Sequence, residues 1–164
     1  MDYMGEIEYS VVIPIYNEEE TLPELKSRVI KTMEAVGSPF EVIFVDDGSN
    51  DSSFKIMRQF NQEYPEIKIV SLSRNFGHQA AIMAGLDHAG GNAVIMMDGD
   101  LQDPPEVLPE LIQKYHDEFD VVYAIRASRK ENIIKKSLFK LFYRLMHILS
   151  SNPQPADAGT FSIM

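Results

Sequence analysis

Short apolar runs alternate along the chain with longer segments whose apolar residues recur every three or four positions. A short run of apolar and β-branched residues is typical of a strand that is buried on both faces of a parallel sheet. Five such runs predict strands over residues 9–15, 40–45, 67–72, 93–97 and 120–124.

The segments between these runs predict four helices. The first has a stripe of apolar residues and ends near Gly37 and Pro39, and its stripe consists of Leu22, Leu25, Val29, Met33 and Val36. The other three helices are predicted over residues 54–64, 79–88 and 107–115. Strands that alternate with helices indicate an α/β fold, a mostly parallel sheet with helices on both faces.

Composition limits the size of the fold and the kinds of partner. A chain of 164 residues with 45% hydrophobic content predicts a single domain over residues 1–164. The net charge of −10 argues against nucleic-acid binding, and the lack of cysteine excludes disulfides. Seven of the 15 basic residues nevertheless lie between Arg126 and Arg144. This cationic segment predicts one local contact with an anionic partner.

Polar residues follow each of the five predicted strands. The set comprises Asn17, Glu18, Asp46, Asp47, Ser73, Arg74, Asn75, Asp98, Asp100 and Arg126. Because parallel strands end at one edge of a sheet, these side chains are expected along the carboxyl edge, where open α/β sheets bind ligands.

Asp98, Asp100 and Gln102 follow the fourth predicted strand and suggest a metal site. Side chains two residues apart point the same way only while the backbone stays extended. Two carboxylates that close repel each other unless a cation or a proton lies between them. Oxygen ligands of this kind suit Mg²⁺ or Mn²⁺, whereas the alternative interpretation is a solvated polar turn.

Five motifs in order resemble the family 2 inverting glycosyltransferases, which have the GT-A fold. They are V-I-P-I-Y-N-E-E-E at 12–20, V-D-D-G-S-N-D at 45–51, S-R-N-F-G at 73–77, D-G-D-L-Q-D-P-P-E at 98–106 and D-A-G at 157–159. The third and fifth motifs are similar to the branch containing dolichyl-phosphate mannose synthases and bacterial undecaprenyl-phosphate glycosyltransferases. The resemblance implies a Rossmann-like GT-A sheet and the transfer of a sugar.

The resemblance also implies a role for particular residues. The nucleotide pocket would be lined by Pro14, Tyr16, Glu18, Val45, Asp46 and Asp47. Asp98, Gly99 and Asp100 would lie at the ribose and diphosphate, and the metal would be held by Asp98, Asp100 and Gln102. Arg126 would contact phosphate during catalysis, Lys135 or Lys136 would meet the acceptor phosphate, and Asp157 would orient or deprotonate the acceptor.

Plainer interpretations of several of these residues stay open. Asp46 and Asp47 fit an Asx turn before a helix as well as a nucleotide contact. Pro14 and Tyr16 fit packing at a strand end, and an arginine such as Arg126 is more often a solvated surface charge.

Residues 133–149 predict an amphipathic helix with an apolar stripe and a basic face. Such a helix is typical of a membrane interface, although an ordinary core-facing helix has the same pattern. No apolar stretch approaches the ~18 residues that a spanning helix requires.

The function expected from these features is the metal-dependent, inverting transfer of a hexose from UDP- or GDP-hexose to polyprenyl phosphate for cell-envelope glycan or glycolipid synthesis. We expect it at the cytoplasmic face of the membrane, with this chain itself soluble. A saccharide or another lipid as acceptor, nucleotide binding without turnover and a phosphorelay receiver are the alternatives. Dinucleotide and P-loop binding lack their glycine signatures here.

The last motif departs from the branch, since Thr160 and Ser162 occupy its variable positions. The sequence stops at Met164 inside a predicted strand, whereas relatives continue. We therefore expect a C-terminally truncated catalytic domain that lacks the acceptor part and any membrane helices.

Overall fold

The computed structural model of the protein describes residues 6–117, 119–125 and 158–164. The strands in these ranges are β1 (Tyr9–Ile15), β2 (Phe40–Asp46), β3 (Ile67–Ser71), β4 (Ala93–Met96), β5 (Val122–Ile125) and β6 (Ala158–Ile163). The helices are α1 (Leu22–Val36), α2 (Ser53–Glu63), α3 (His78–His88) and α4 (Leu108–His116), and a 3₁₀ turn at Pro105–Val107 leads into α4.

The strands form one mixed sheet in the order β3-β2-β1-β4-β6-β5. β1 pairs in parallel with β2 and β4, and β2 pairs in parallel with β3. β6 runs antiparallel between β4 and β5. The predicted mostly parallel α/β sheet is confirmed, and the strand predicted at the end of the sequence, β6, connects β5 to the rest of the sheet.

Helices cover both faces of the sheet, as the apolar runs predicted. α1, α2 and α4 pack on one face in a large cluster that includes Val11, Ile13 and Phe44. The other face packs against α3 through Val12, Ile43, Val45 and Ala81. Alternate residues of β1 and β2 therefore enter different clusters, which is why these strands are apolar on both sides.

The chain changes direction beside β1. From β1 it proceeds to β2 and β3 on one side, and it then returns to place β4 on the other side. The carboxyl ends of β1 and β4 thus flank a topological switch point, the position at which open α/β sheets form a ligand crevice. The motifs after β1 and β4 meet there.

Candidate active site

The loop after β1 is tied to the loop that precedes α2. Asn17 has a positive φ of 56°, and its side-chain oxygen accepts a hydrogen bond from the Asn50 backbone N–H at 2.8 Å. The Glu18 carboxylate accepts a hydrogen bond from the Thr21 hydroxyl at 2.8 Å. Tyr16 is 43% exposed, so its ring is available at the edge for contact with a ligand. Two of the predicted nucleotide-binding residues, Tyr16 and Glu18, therefore lie on an ordered loop at the switch point.

Asp46 and Asp47 are each only 3% exposed, and both carboxylates accept hydrogen bonds within the protein. Asp46 accepts from the Ser49 backbone N–H at 3.0 Å, the geometry of an Asx turn, and from the Ser71 hydroxyl at 3.3 Å. Their contacts thus include the Asx turn that the sequence left open beside a nucleotide contact.

Asp47 fixes the loop between β3 and α3. Its two oxygens accept hydrogen bonds from the backbone N–H groups of Phe76 at 2.7 Å and Gly77 at 2.9 Å. Gly48 turns the chain immediately afterwards with φ +69°, and a Cβ there would lie 2.4 Å from the Arg74 carbonyl carbon. The motifs after β2 and β3 are therefore one packed unit at the carboxyl edge.

Pro14 and Val45 contribute to this edge mainly from within the core. Val45 is fully buried and packs in the α3 cluster, and the buried Pro14 presents its carbonyl to the loop after β4. A Cβ on Gly99 would lie 3.1 Å from the Pro14 carbonyl oxygen and 2.5 Å from Ile15 Cδ1. Gly99 is thus required for close approach of the β4 loop to β1.

The β4 loop turns soon after the strand. β4 ends at Met96, and the chain is in a turn by Gly99 and Asp100, so the extended backbone assumed for convergence of Asp98 and Asp100 is absent. Asp100 is exposed, and its Oδ1 accepts a hydrogen bond from the Gln102 backbone N–H at 2.9 Å. Leu101 has a positive φ of 61° within the same turn.

The donor chemistry of this loop suits a hard divalent cation, although no preformed cluster is present. Asp98, Asp100 and Gln102 offer oxygen ligands, and Asp100 is open to solvent. Over the described ranges, no three His, Asp or Glu side chains converge in a geometry that could hold an ion. The residues fit Mg²⁺ or Mn²⁺ by chemistry, and the metal site stays a prediction.

His78 contacts the first aspartate of this loop, which the sequence did not predict. Its Nε2 lies 3.4 Å from Asp98 Oδ1, and the two side chains are 43% and 29% exposed. The one sequence feature that indicated a site role for His78 was its position after β3, at the same edge of the sheet as the other motifs.

Glu106, the last residue of the D-G-D-L-Q-D-P-P-E motif, joins the 3₁₀ turn to α1. Its carboxylate accepts hydrogen bonds from Arg28 Nε at 2.8 Å and Nη2 at 2.6 Å. The hydrogen bonds from Arg28 lower the pKa of Glu106 to about 2. This part of the motif therefore joins elements on the face of the sheet that α1, α2 and α4 cover.

Four predicted site residues, Arg126, Lys135, Lys136 and Asp157, lie outside the described residues, as does the predicted helix 133–149. Within the ranges given above, no helix is both long enough and apolar enough to cross a bilayer.

An open groove of about 650 Å³ lies at the opposite, amino edge of the sheet and is lined by residues that include Phe40, Glu41 and Lys68. Since no motif residue borders it, size alone does not make it the active site. Glu41 is buried there and pairs with Lys68.

The fold and the motifs at its switch point define the class of the protein as a GT-A glycosyltransferase domain. The model of the family described as "Glycosyl transferase family 2" matches residues 10–163. The chain belongs to glycosyl transferase family 2, which confirms the resemblance seen in the sequence.

Two relatives show which members of the family the chain is similar to. The chain is 45% identical over 159 residues to the uncharacterized glycosyltransferase YkcC of Bacillus subtilis, with 96% of this chain and 49% of that protein covered. It is 44% identical over 138 residues to undecaprenyl-phosphate 4-deoxy-4-formamido-L-arabinose transferase of Salmonella paratyphi B, with 84% and 42% covered. The chain thus spans about half the length, or less, of the curated relatives it matches.

Solved structures share the fold. TarS 1-349 of S. aureus in complex with UDP superposes with a TM-score of 0.59 at 26% identity, covering 77% of this chain and 38% of that fragment. The mannosyltransferase PcManGT of Pyrobaculum calidifontis, in complex with GDP-Man and Mn²⁺, gives a TM-score of 0.61 at 21% identity, covering 87% and 39%.

Proposed function

We propose that this chain carries the donor-binding part of an enzyme that transfers a hexose from a nucleotide diphosphate sugar to polyprenyl phosphate with inversion. The observation that carries the proposal is the meeting of the motifs after β1, β2, β3 and β4 at the switch point of the sheet. The relative named for undecaprenyl-phosphate chemistry supports the lipid acceptor, and the structures with UDP and GDP-Man support a nucleotide-sugar donor.

The chemistry is a single displacement at C1 of the hexose. An oxygen of the acceptor phosphate forms a bond to C1 on the face opposite the leaving group. The bond from C1 to the diphosphate oxygen breaks, and the electron pair leaves with the nucleoside diphosphate. The second pKa of a phosphate monoester is about 6, so the acceptor is mostly ionised at pH 7 and needs no strong general base.

Different residues act on the donor and on the acceptor. Tyr16 and Glu18 bind the nucleoside. Asp98, Asp100 and Gln102 would hold Mg²⁺ or Mn²⁺, which would supply Lewis-acid stabilisation of the departing diphosphate. Arg126 binds a phosphate through its forked guanidinium.

Acceptor-side roles belong to Lys135 or Lys136, which meet the lipid phosphate, and to Asp157, which orients it. Residues 133–149 lie against the membrane surface at its cytoplasmic side, where each basic residue near anionic lipid adds about 1 kcal/mol of binding. These assignments rest on the family resemblance and on the sequence pattern.

The test is mass spectrometry of products made from UDP- and GDP-hexoses with polyprenyl phosphate and Mn²⁺. We expect a lipid-linked hexose phosphate, and Asp98→Asn should slow its formation at least about 100-fold. The matched control is Asp87→Asn, which changes an exposed carboxylate on α3 and should leave the rate unchanged. A glycan product without a lipid linkage would contradict the proposed acceptor.

The second candidate function is nucleotide-sugar binding without turnover. Calorimetry with nucleoside diphosphate and Mn²⁺, run beside the product assay, separates the two. Binding with no sugar transfer in any donor and acceptor pair would establish the second function.

A further inference from the structure

We propose that His78 is a positioning residue for the donor site, because it orients the Asp98 carboxylate. This inference rests on the proposed function and extends it to a residue that the family motifs did not assign. Its basis is the 3.4 Å approach of His78 Nε2 to Asp98 Oδ1 between two different elements.

A buried carboxylate, that of Asp47, fixes the backbone just before His78. The two oxygens of Asp47 accept hydrogen bonds from Phe76 and Gly77, the two residues before His78. Because Asp47 is 3% exposed and directly follows strand β2, it fixes the residues just before α3 to the sheet. His78 therefore starts from a rigid position.

The body of α3 is fixed just as closely. A Cβ on Gly85 would lie 2.3 Å from Val12 Cγ1, so α3 lies directly on β1 at that point. The helix then has little freedom to slide along the sheet, since packed interiors resist small displacements. The distance between His78 and the β4 loop is set by this packing.

The β4 loop is held from the opposite side. The Thr21 hydroxyl oxygen lies 3.4 Å from the Gly99 carbonyl oxygen, and Gly99 packs against Pro14 and Ile15. Asp98 thus lies between an anchored Gly99 and the imidazole of His78. The imidazole, 3.4 Å from Asp98 Oδ1, limits the space in which this carboxylate can rotate.

The expected consequence follows from general behaviour of metal sites. Groups that hydrogen-bond to metal ligands fix the orientation of those ligands, and their removal typically weakens metal affinity about 10- to 100-fold. His78 would act through Asp98 in this way without touching the sugar. The arrangement links the motif after β3 to the metal loop after β4.

The experiment measures the Mn²⁺ concentration that half-saturates nucleoside diphosphate binding, by calorimetry, in the wild type and three variants. His78→Ala should raise this concentration at least about tenfold. His78→Gln keeps an N–H donor and should stay within about threefold of the wild type, as expected for a group that acts by hydrogen bonding. His88→Ala is the matched control at the other end of α3, and it should have no effect.

Each outcome has a distinct meaning. Equal Mn²⁺ requirements for His78→Ala and His88→Ala, with nucleotide binding intact, would overturn the positioning role and leave the proposed function standing. Failure of the wild type to bind nucleotide with Mn²⁺ would overturn both. Loss of binding in His78→Ala with full rescue in His78→Gln would confirm the inference, and circular dichroism checks that each variant is folded.

Discussion

Neighbouring acidic residues at the carboxyl edge have contrasting surroundings. Asp47 is buried and accepts hydrogen bonds at both oxygens, whereas Asp100 is exposed and accepts one from the Gln102 backbone. A buried carboxylate that accepts hydrogen bonds from the backbone stabilises the fold, whereas an exposed carboxylate on an ordered turn can contact a ligand. The two motifs therefore differ in how deeply their acidic side chains are buried and in whether partners within the protein hold them.

Asp100→Ala tests the metal assignment at this scale. Ligands that bind only the folded state raise its stability, so nucleoside diphosphate with Mn²⁺ should raise the melting temperature of the wild type. The variant should lose that metal-dependent increase while melting near the wild-type temperature without ligand, because Asp100 is exposed. Equal ligand-induced shifts in both proteins would refute the assignment, and Asp87→Asn serves as the unaffected comparison.

Gly48→Ala tests the close contact between the loops after β2 and β3. The substitution combines a positive φ with a Cβ placed 2.4 Å from the Arg74 backbone, so we expect a loss of about 2–4 kcal/mol in the free energy of unfolding. Gly37→Ala is the matched control, since its φ of +80° carries strain but no atom lies within 4 Å. Urea unfolding of both variants should show a clearly larger loss for Gly48; equal losses would mean that the loop contact adds nothing.

At the scale of elements, the backbone just before α3 depends on one side chain of the loop after β2. Phe76 and Gly77 precede the helix, and their backbone N–H groups donate to Asp47. Backbone donors that lose their acceptor in a buried setting each cost free energy, because water cannot replace it fully.

Asp47→Asn keeps the shape of this side chain and replaces one acceptor oxygen with a donor. We expect a loss of about 1–3 kcal/mol in the free energy of unfolding, with faster hydrogen exchange at the Phe76 and Gly77 amides. The Val42 amide donates to Glu66 at the distant amino edge, so its exchange should become faster only by the amount that the loss of global stability predicts. Unchanged exchange at Phe76 and Gly77 would show that Asp47 does not secure the helix start.

At the scale of the whole molecule, two carboxylates make stability depend on pH. Arg28 holds the pKa of Glu106 at about 2. Burial of Glu41 favours its neutral form, but hydrogen bonds from Lys68, Ser10 and the Gly90 backbone outweigh that effect and lower its pKa. Glu41 joins β2 to β3 through Lys68, while Glu106 joins the 3₁₀ turn to α1.

Both pKa values lie below the ordinary glutamate value of 4.5, so the folded state binds these protons more weakly than the unfolded state does. Their stabilisation is therefore complete above about pH 4.5 and is lost as pH falls, for Glu106 between about 4.5 and 2. Glu41→Gln and Glu106→Gln should each flatten the acid side of the stability curve, because each removes a carboxylate whose pKa is lowered in the folded state. Chemical denaturation at several pH values measures this, with exposed Glu110→Gln as the control; identical curves for all four proteins would contradict it.

The sequence determined the periodicity of this molecule, and the first four strands and four helices follow from it almost residue by residue. β1 was predicted at its observed bounds, because an apolar run between polar loops has few alternatives when both of its faces must be buried. The family and the carboxyl-edge motifs followed from the same local patterns. The antiparallel position of β6 did not, since its pairing with Ile95 and Val122 depends on residues far away in the chain.

Only the tertiary structure determined which motif residues are buried and which other residues they contact. Local sequence shows that Asp46, Asp47, Asp98 and Asp100 are acidic, but burial and long-range partners set which of them face inward. The turn at Gly99 forms because that loop packs on Pro14 and Ile15, and His78 meets Asp98 because α3 lies directly on β1. Contacts across twenty or more residues of sequence cannot be read from spacing, since the packing of the whole sheet fixes them.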